Sequence, residues 1–297
     1  MRTCNLYEAV LIYFSMLIDL VGADIASIVG DEKDIAEIRM RVFRPLVVCR
    51  IDGTRQVARH FGLPYVVGEN DIQRVLSNAT NMSLYSASDE IKRGYIPCGR
   101  YRIGVGGEGV FDDEKFVAVK NISYLVIRVP HQIKGIADKI GEDVFVDGGV
   151  RSTLVISPTG AGKTTLLREM ARIASKDFNV VIIDERYELC SCLHGTPALD
   201  IGDAEVLSGV PKSIAYQNCV RAMNPDVIVT DELFGKNDVD AICDVIRSGV
   251  KAFASVHGSS VEAVRSNAIY EPLFRVFELG VVLSKSPIGA IVQKVAL

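Results

Sequence analysis

Tryptophan is absent, and aromatic residues fill only 7% of the 297 positions. Surfaces that hold single-stranded nucleic acid stack bases on aromatic rings set in a basic groove, and no interleaved aromatic and basic stripe is visible along the chain. Excess positive charge is absent as well. The 33 Lys and Arg against 37 Asp and Glu leave a formal charge of −4, whereas a duplex-binding face needs a concentrated surplus of cations. A local basic stripe, or a ring built from several copies, remains compatible with that figure. The seven cysteines are odd in number and scattered. Only Cys190 and Cys192 stand close together, with no second pair to complete a zinc site, so they read as reduced thiols of a cytosolic protein. His60, His131, His194 and His257 show no metal-ligand spacing. Long apolar runs are missing too. Residues 9–18 (AVLIYFSMLI) meet Asp19 and Asp24 well short of the ~20 residues of a spanning helix, and Arg2 alone makes no signal-peptide n-region. This stretch is expected to be a packing helix, with attachment to a membrane surface as the alternative. No internal repeat or low-complexity segment is visible.

What is present falls into three parts: an N-terminal helical segment over 1–34, a small α+β domain over 35–132, and an α/β domain over 133–297. In the second part, EIRMRV, PLVVCRI, YRIGVGG and YLVIRV are β-like runs punctuated by DG, GG and GL steps. Among them, residues 70–79 (NDIQRVLSNA) have helical spacing at Ile72, Val75, Leu76 and Ala79, with Asn70 or Asp71 as the cap. Glycines and a proline cluster over 130–150. Beyond them TLVIS, NVVIIDE, DVIVTDE and AFASVH are continuous apolar runs alternating with helical stretches such as 163–174 and 239–248. Apolar strands separated by helices predict a parallel sheet covered on both faces.

The chemistry begins at SPTGAGKTT, residues 157–165. Strand, glycine-rich loop and helix in succession make a P-loop: glycines let backbone N–H groups turn around phosphates, and the helix start faces the negative charge. Ser157, Pro158, Thr159, Gly160, Ala161, Gly162, Lys163, Thr164 and Thr165 are therefore the expected nucleotide contacts. Lys163 reaches the β- and γ-phosphates and Thr164 ligates Mg²⁺. Ser157 replaces the first glycine of the pattern, at a position that ends the strand. Two acidic strands follow. DVIVTDE suits a Walker B strand, with Asp231 in the Mg²⁺ shell and Glu232 orienting the attacking water. VVIIDERYEL places Asp184 and Glu185 at a strand exit, with Glu188 nearby; Asp184 is a second candidate metal ligand and Glu185 a second candidate for the water. His257 ends AFASVH, where it can sense a γ-phosphate. Arg186 is the nearest arginine to these strand ends.

The order of P-loop, acidic strand, RAMNPD into Walker B, and SVHG resembles the type II and type IV secretion ATPases, in which the second and fourth elements are called the Asp box and His box. RAMNPDVIVTDE (221–232) looks especially like them, although they commonly carry Gly where this chain has Asp231. EIRMRVFRPLVV (37–48), SLYSASDEIKRGYI (83–96) and NISYLVIRVPHQIKGIAD (121–138) narrow the match, since they closely resemble the stage III sporulation protein AA family from about residue 35 to the end. Gly99, Arg100 and Tyr101 stand where that pattern has Gly-Gly-His. The resemblance implies a RecA-like P-loop ATPase core and two arginines of the N-terminal domain that reach the γ-phosphate. The matching positions are Arg102 in the G-x-R segment and Arg128 in the I-R segment. It also implies a homo-hexameric ring and a membrane-embedded partner of a sporulation channel, with the protein cytoplasmic on the mother-cell side and peripheral to the membrane through that partner.

The expected fold is thus α/β, a RecA-like core with a parallel-rich sheet flanked by helices, preceded by a smaller α+β domain. The expected function is a Mg-dependent ATPase motor with no specific nucleic acid. A RecA-like nucleic-acid motor and a nucleotide-dependent binding protein are the alternatives.

Overall fold

The structure, a computed structural model, describes residues 17–80, 91, 94–192 and 195–297. Most of the 9–18 stretch, most of the 83–96 segment, Cys4 and His194 lie outside the described residues. By its internal contacts the chain divides into two compact units, Met1–His131 and Gln132–Leu297.

Strand alternation builds the first unit. Strands β1 (Ile35–Arg41), β2 (Val47–Arg50) and β3 (Arg55–Val57) precede a short hairpin of β4 (Arg59–His60) and β5 (Leu63–Pro64); β6 (Tyr95–Cys98), β7 (Tyr101–Asp112) and β8 (Lys115–Arg128) follow. The main sheet has the order β3-β2-β1-β8-β7-β6, and every pairing in it is antiparallel. Successive side chains of a strand leave on opposite faces. Ile38, Met40, Ile103, Leu125 and Ile127 accordingly share one buried core with Ile25 and Val29 of helix α1 (Ala23–Val29) and Ile72, Val75 and Leu76 of α2 (Glu69–Ala79). Leu17, Leu20 and Val21 join the same core, so the described part of the expected N-terminal helical segment belongs to this unit. The cap of α2 also differs from expectation. Gly68 is the N-cap, and Asp71, three residues on, accepts the Gly68 N–H at 2.9 Å. Asp71 supplies the reciprocal half of a capping arrangement while Arg74 holds its other oxygen at 2.9 Å.

The second unit opens with α3 (Gly141–Val144) and a short hairpin, β9 (Phe145–Val146) and β10 (Gly149–Val150). Its large sheet contains β11 (Thr153–Ser157), β12 (Val180–Asp184), β13 (Glu205–Ser208), β14 (Val227–Thr230), β15 (Lys251–His257), β16 (Leu279–Lys285) and β17 (Ile288–Ala296), in the order β13-β12-β14-β15-β11-β16-β17. The first six in that order pair in parallel. The edge strand β17 is antiparallel to β16, because two intervening residues cannot carry a crossover. Burial on both faces is visible in the sorting of alternate residues. Val155, Ile182 and Val229 enter one core with Leu166, Leu167 and Met170 of α4 (Lys163–Ala174). Leu154, Ile156, Ile183 and Ile228 enter another, with Tyr216 of α5 (Lys212–Ala222) and Val239 and Ile242 of α6 (Gly235–Arg247). The helical reading of 163–174 matches α4, whereas α6 begins four residues ahead of the expected 239.

Candidate active site

Strand order decides which chemical groups meet. β15 lies between the P-loop strand β11 and the acidic strand β14, so the carboxyl ends of β12, β14, β15 and β11 stand side by side. In such open α/β sheets that end is where ligands bind. Ser157 is in register with His257, and the Gly258 N–H donates to the Ser157 carbonyl at 3.2 Å. His257 Nδ1 lies 3.4 Å from Thr159 Oγ1, which sets the histidine beside the P-loop.

The loop itself needs its two later glycines. Gly160 and Gly162 have φ of +78° and +91°, a left-handed backbone that Cβ disfavours. Ser157 is fully buried as the last residue of β11, and its hydroxyl reaches the Pro158 carbonyl at 3.0 Å; a side chain is tolerated there because that position belongs to the strand. Gly162 caps α4, and Lys163 and Thr164 are its first residues. Thr164 Oγ1 donates to Asp231 Oδ2 at 2.6 Å, so the two residues expected to share a metal are already in contact. The other oxygen, Asp231 Oδ1, accepts from Ser255 Oγ at 2.8 Å and from the Glu232 N–H at 2.9 Å. A serine hydroxyl from β15, a threonine hydroxyl from α4 and the carboxylate that follows β14 are hard oxygen donors, the set that suits Mg²⁺.

Asp184, the second expected metal ligand, is tied to the backbone that follows it. It is 2% exposed, and its oxygens accept the N–H groups of Glu188 (2.7 Å), Leu189 (3.1 Å) and Cys190 (2.8 Å). With both oxygens engaged, it holds the loop after β12. Burial pushes its carboxyl up to about 6, against the pull of the Cys190 and Leu189 N–H groups. The same loop is gripped from α4: the buried guanidinium of Arg168 donates to the Leu189 and Glu188 carbonyls.

Glu185, Arg186, Glu188, Asp231 and Glu232 line a small cleft together with Lys212. Arg186 Nη1 is 3.6 Å from Glu232 Oε2, and Lys212 Nζ is 3.9 Å from Glu185 Oε2. Lys212, Ser255 and Arg168 were missed in the sequence. Lys212 opens a helix and Arg168 sits mid-helix, positions that look solvent-facing without the fold. Ser255 had a signal, as the strand residue two before His257. Lys285 was also missed; a side chain at Gly160 would come within 4.0 Å of its Cε.

Arg102 and Arg128 lie in the first unit. They are cross-strand partners on β7 and β8, and cross-strand partners share a face. Arg102 stacks over Tyr95, 4.1 Å from its ring centre. Arg128 is well exposed and 3.5 Å from Glu37. Arg39, Arg102, Arg128, Tyr95 and Tyr124 line one concavity of this face, and Arg41, Arg44 and Tyr124 line its neighbour. An aromatic and basic surface that no linear stretch displays is therefore assembled by strand pairing, a local stripe of the kind the net charge leaves open. Among the described residues no group of three or more His, Cys, Asp or Glu has a metal-holding arrangement, and no helix is long and apolar enough to cross a membrane.

The stage III sporulation protein AA of Bacillus subtilis (strain 168) is 32% identical over 236 residues, which is 77% of this chain and 75% of that protein. Among solved structures, the pilus retraction motor PilT with bound ADP superposes with a TM-score of 0.59 at 16% identity, covering 87% of this chain and 76% of PilT. The Legionella pneumophila ATPase DotB does so with a TM-score of 0.51 at 16% identity, covering 84% and 72%. At such identities these two likenesses establish the fold alone, an α/β core with a parallel-rich sheet between helices. The model of the family "Sporulation stage III, protein AA" matches residues 17–295, and the chain belongs to that family.

Proposed function

We propose that this protein is a Mg-dependent ATP hydrolase that works as a motor, assembled as a homo-hexamer and powering a membrane channel complex during endospore formation. The observation that carries the reading is the 2.6 Å contact of Thr164 with Asp231, which joins the P-loop to the second acidic strand with Glu232 as the next residue. Lys163 and the N–H groups of residues 159–165 hold the phosphates, aided by the positive end of α4. Mg²⁺, when bound through Thr164 and Asp231, supplies charge neutralisation on the phosphate oxygens. Glu232 polarises the attacking water, with Glu185 as the second acid within the cleft. His257, beside Thr159, senses whether the γ-phosphate is present. Arg128 and Arg102 provide guanidinium forks for charge on the transferring phosphoryl group. The protein is placed in the mother-cell cytoplasm, peripheral to the membrane through an embedded partner; family membership supports this placement.

Phosphate release and calorimetric titration test the reading. Lys163→Ala is expected to abolish hydrolysis, and Glu232→Gln to block it with ATP still bound. Full turnover in Glu232→Gln would transfer the water-orienting role to Glu185. The arginine- and tyrosine-lined face of the first unit favours a second reading, a nucleic-acid motor. Sub-micromolar binding of single-stranded DNA at physiological salt, with a steep salt slope, would replace the first reading by the second.

A further inference from the structure

Glu232 is held in a conformation that costs free energy. Its φ is +26°, outside the basins that a residue with a Cβ normally occupies, and such strain persists only where the surroundings enforce it. On the amino side the enforcement is plain: its N–H is held by Asp231 Oδ1 at 2.9 Å and by Ser255 Oγ at 3.0 Å. On the carbonyl side the next peptide is held at both ends: the Leu233 N–H donates to the Ser255 carbonyl at 2.8 Å, and the Glu232 carbonyl has a partner of its own. Lys212 Nζ donates to the Glu232 carbonyl at 2.7 Å. The lysine is only 6% exposed, and it comes from the first residue of α5, twenty positions away in sequence.

The surroundings of that carbonyl explain why a cation stands there. Glu185 and Asp238 carboxylates lie 3.9 and 3.6 Å from the same ammonium. A carbonyl oxygen among carboxylates is repelled by them, and the ammonium between them offsets that repulsion. Without the ammonium, the peptide following Glu232 keeps only the Leu233 N–H contact to the Ser255 carbonyl, and its carbonyl end, left among carboxylates, relaxes by rotation toward an ordinary backbone basin. That rotation swings the Glu232 side chain away from the phosphate end of the sheet, or toward Arg186, which already stands 3.6 Å from it. A displacement of about 1 Å in a catalytic group costs on the order of a hundredfold in rate.

We propose that Lys212 is a positioning residue that holds Glu232 in its strained, water-facing conformation through the Glu232 carbonyl. The inference rests on the ATPase reading of this site. It assigns Lys212 no contact with nucleotide, so its loss acts on turnover and leaves binding intact. A lysine that merely joins α5 to α6 through Asp238 would change stability and would not depend on the side chain at 232.

The test is a double-mutant cycle with Lys212→Met, Glu232→Gln and the two together, alongside Lys212→Arg. Phosphate release at saturating ATP gives kcat, and titration with a non-hydrolysable ATP analogue gives Kd. Expected are a kcat loss of about a hundredfold for Lys212→Met, a Kd within about threefold of wild type, and partial recovery in Lys212→Arg. The double variant is expected to be no more than about twofold slower than Glu232→Gln, since residues that act as a unit lose their effect together. If Lys212→Met loses its cooperative melt, Lys212→Gln, which retains a donor without the charge, carries the same readouts. Unchanged kcat in the Lys212 variant, or losses that multiply in the double variant, overturns the proposal while the ATPase reading stands. Wild-type turnover no faster than that of Lys163→Ala overturns both.

Discussion

The two sheets of this chain meet water in opposite ways. In the first unit an antiparallel sheet buries one face under α1 and α2 and leaves Arg39, Arg41, Arg102 and Arg128 on the other. In the second unit the sheet is covered on both faces by separate cores, and polar chemistry is confined to the strand ends at Ser157, Asp184, Asp231 and His257. An open face offers a broad charged surface, and a closed sandwich offers one edge where a few groups converge in a desolvated setting. The comparison teaches where a compact candidate site can be built, at the edge of the buried sheet; the open sheet presents arginines over a broad face.

Removing Arg128 tests that division most severely. As an arginine finger it contributes on the order of 10³-fold in rate, so Arg128→Ala is expected to lose about that much turnover with ATP binding retained. If Arg128 acts from a neighbouring subunit, mixing Arg128→Ala with Lys163→Ala protein restores part of the activity, because some sites in mixed rings are intact. Full activity of Arg128→Ala alone would confine the chemistry to the second unit.

Core truncations sharpen the comparison through stability. Leu125 of β8 and Leu154 of β11 are both fully buried, and each change to Ala is expected to cost about 3 kcal/mol by lost burial and the cavity left behind. Differential scanning calorimetry reads the result. Where the units melt separately, Leu125→Ala lowers only the transition of the first and Leu154→Ala only that of the second. A single transition lowered by both shows one cooperative body.

The smallest effect expected belongs to Glu169 on α4, whose carboxylate accepts both Arg172 contacts at 2.8 Å and the Gly135 N–H at 2.8 Å. The hydrogen bond from Arg172 holds its carboxyl below the usual 4.5, against the opposing effect of burial. A carboxyl depressed in the fold stabilises it above the unfolded pKa, and that contribution disappears as pH falls through the folded value. Glu169→Gln is therefore expected to cost about 2 kcal/mol near pH 7, with the deficit shrinking below pH ~4.5. A deficit that persists unchanged at pH ~3 would assign it to packing rather than charge.

Much of this was legible because the relevant signals are local. The helix over 163–174 and the apolar runs of β11, β12, β14 and β15 announce themselves by residue type and period. The P-loop is recognisable because a phosphate cradle needs glycines, a lysine and a hydroxyl within a few consecutive residues. What was not legible came from partners distant in sequence. The hold of Asp184 on the loop after β12 rests on three N–H donors supplied by a turn that doubles back, which no local signal announces. The aromatic and basic face is invisible in one dimension, since Arg39, Tyr95, Tyr124 and Arg128 come from three different strands.

The sequence by itself determined the glycine-rich loop, the acidic strand ends and the two-sided sheet that carries them, because loop glycines and strand burial are written in neighbouring residues. The tertiary structure alone decided that β15 separates the P-loop strand from the acidic strand, that Thr164 touches Asp231, and that the Lys212 ammonium reaches the Glu232 carbonyl. Each of these depends on strand order and helix placement. Those are set by how the whole apolar pattern packs, and no single stretch of residues contains them.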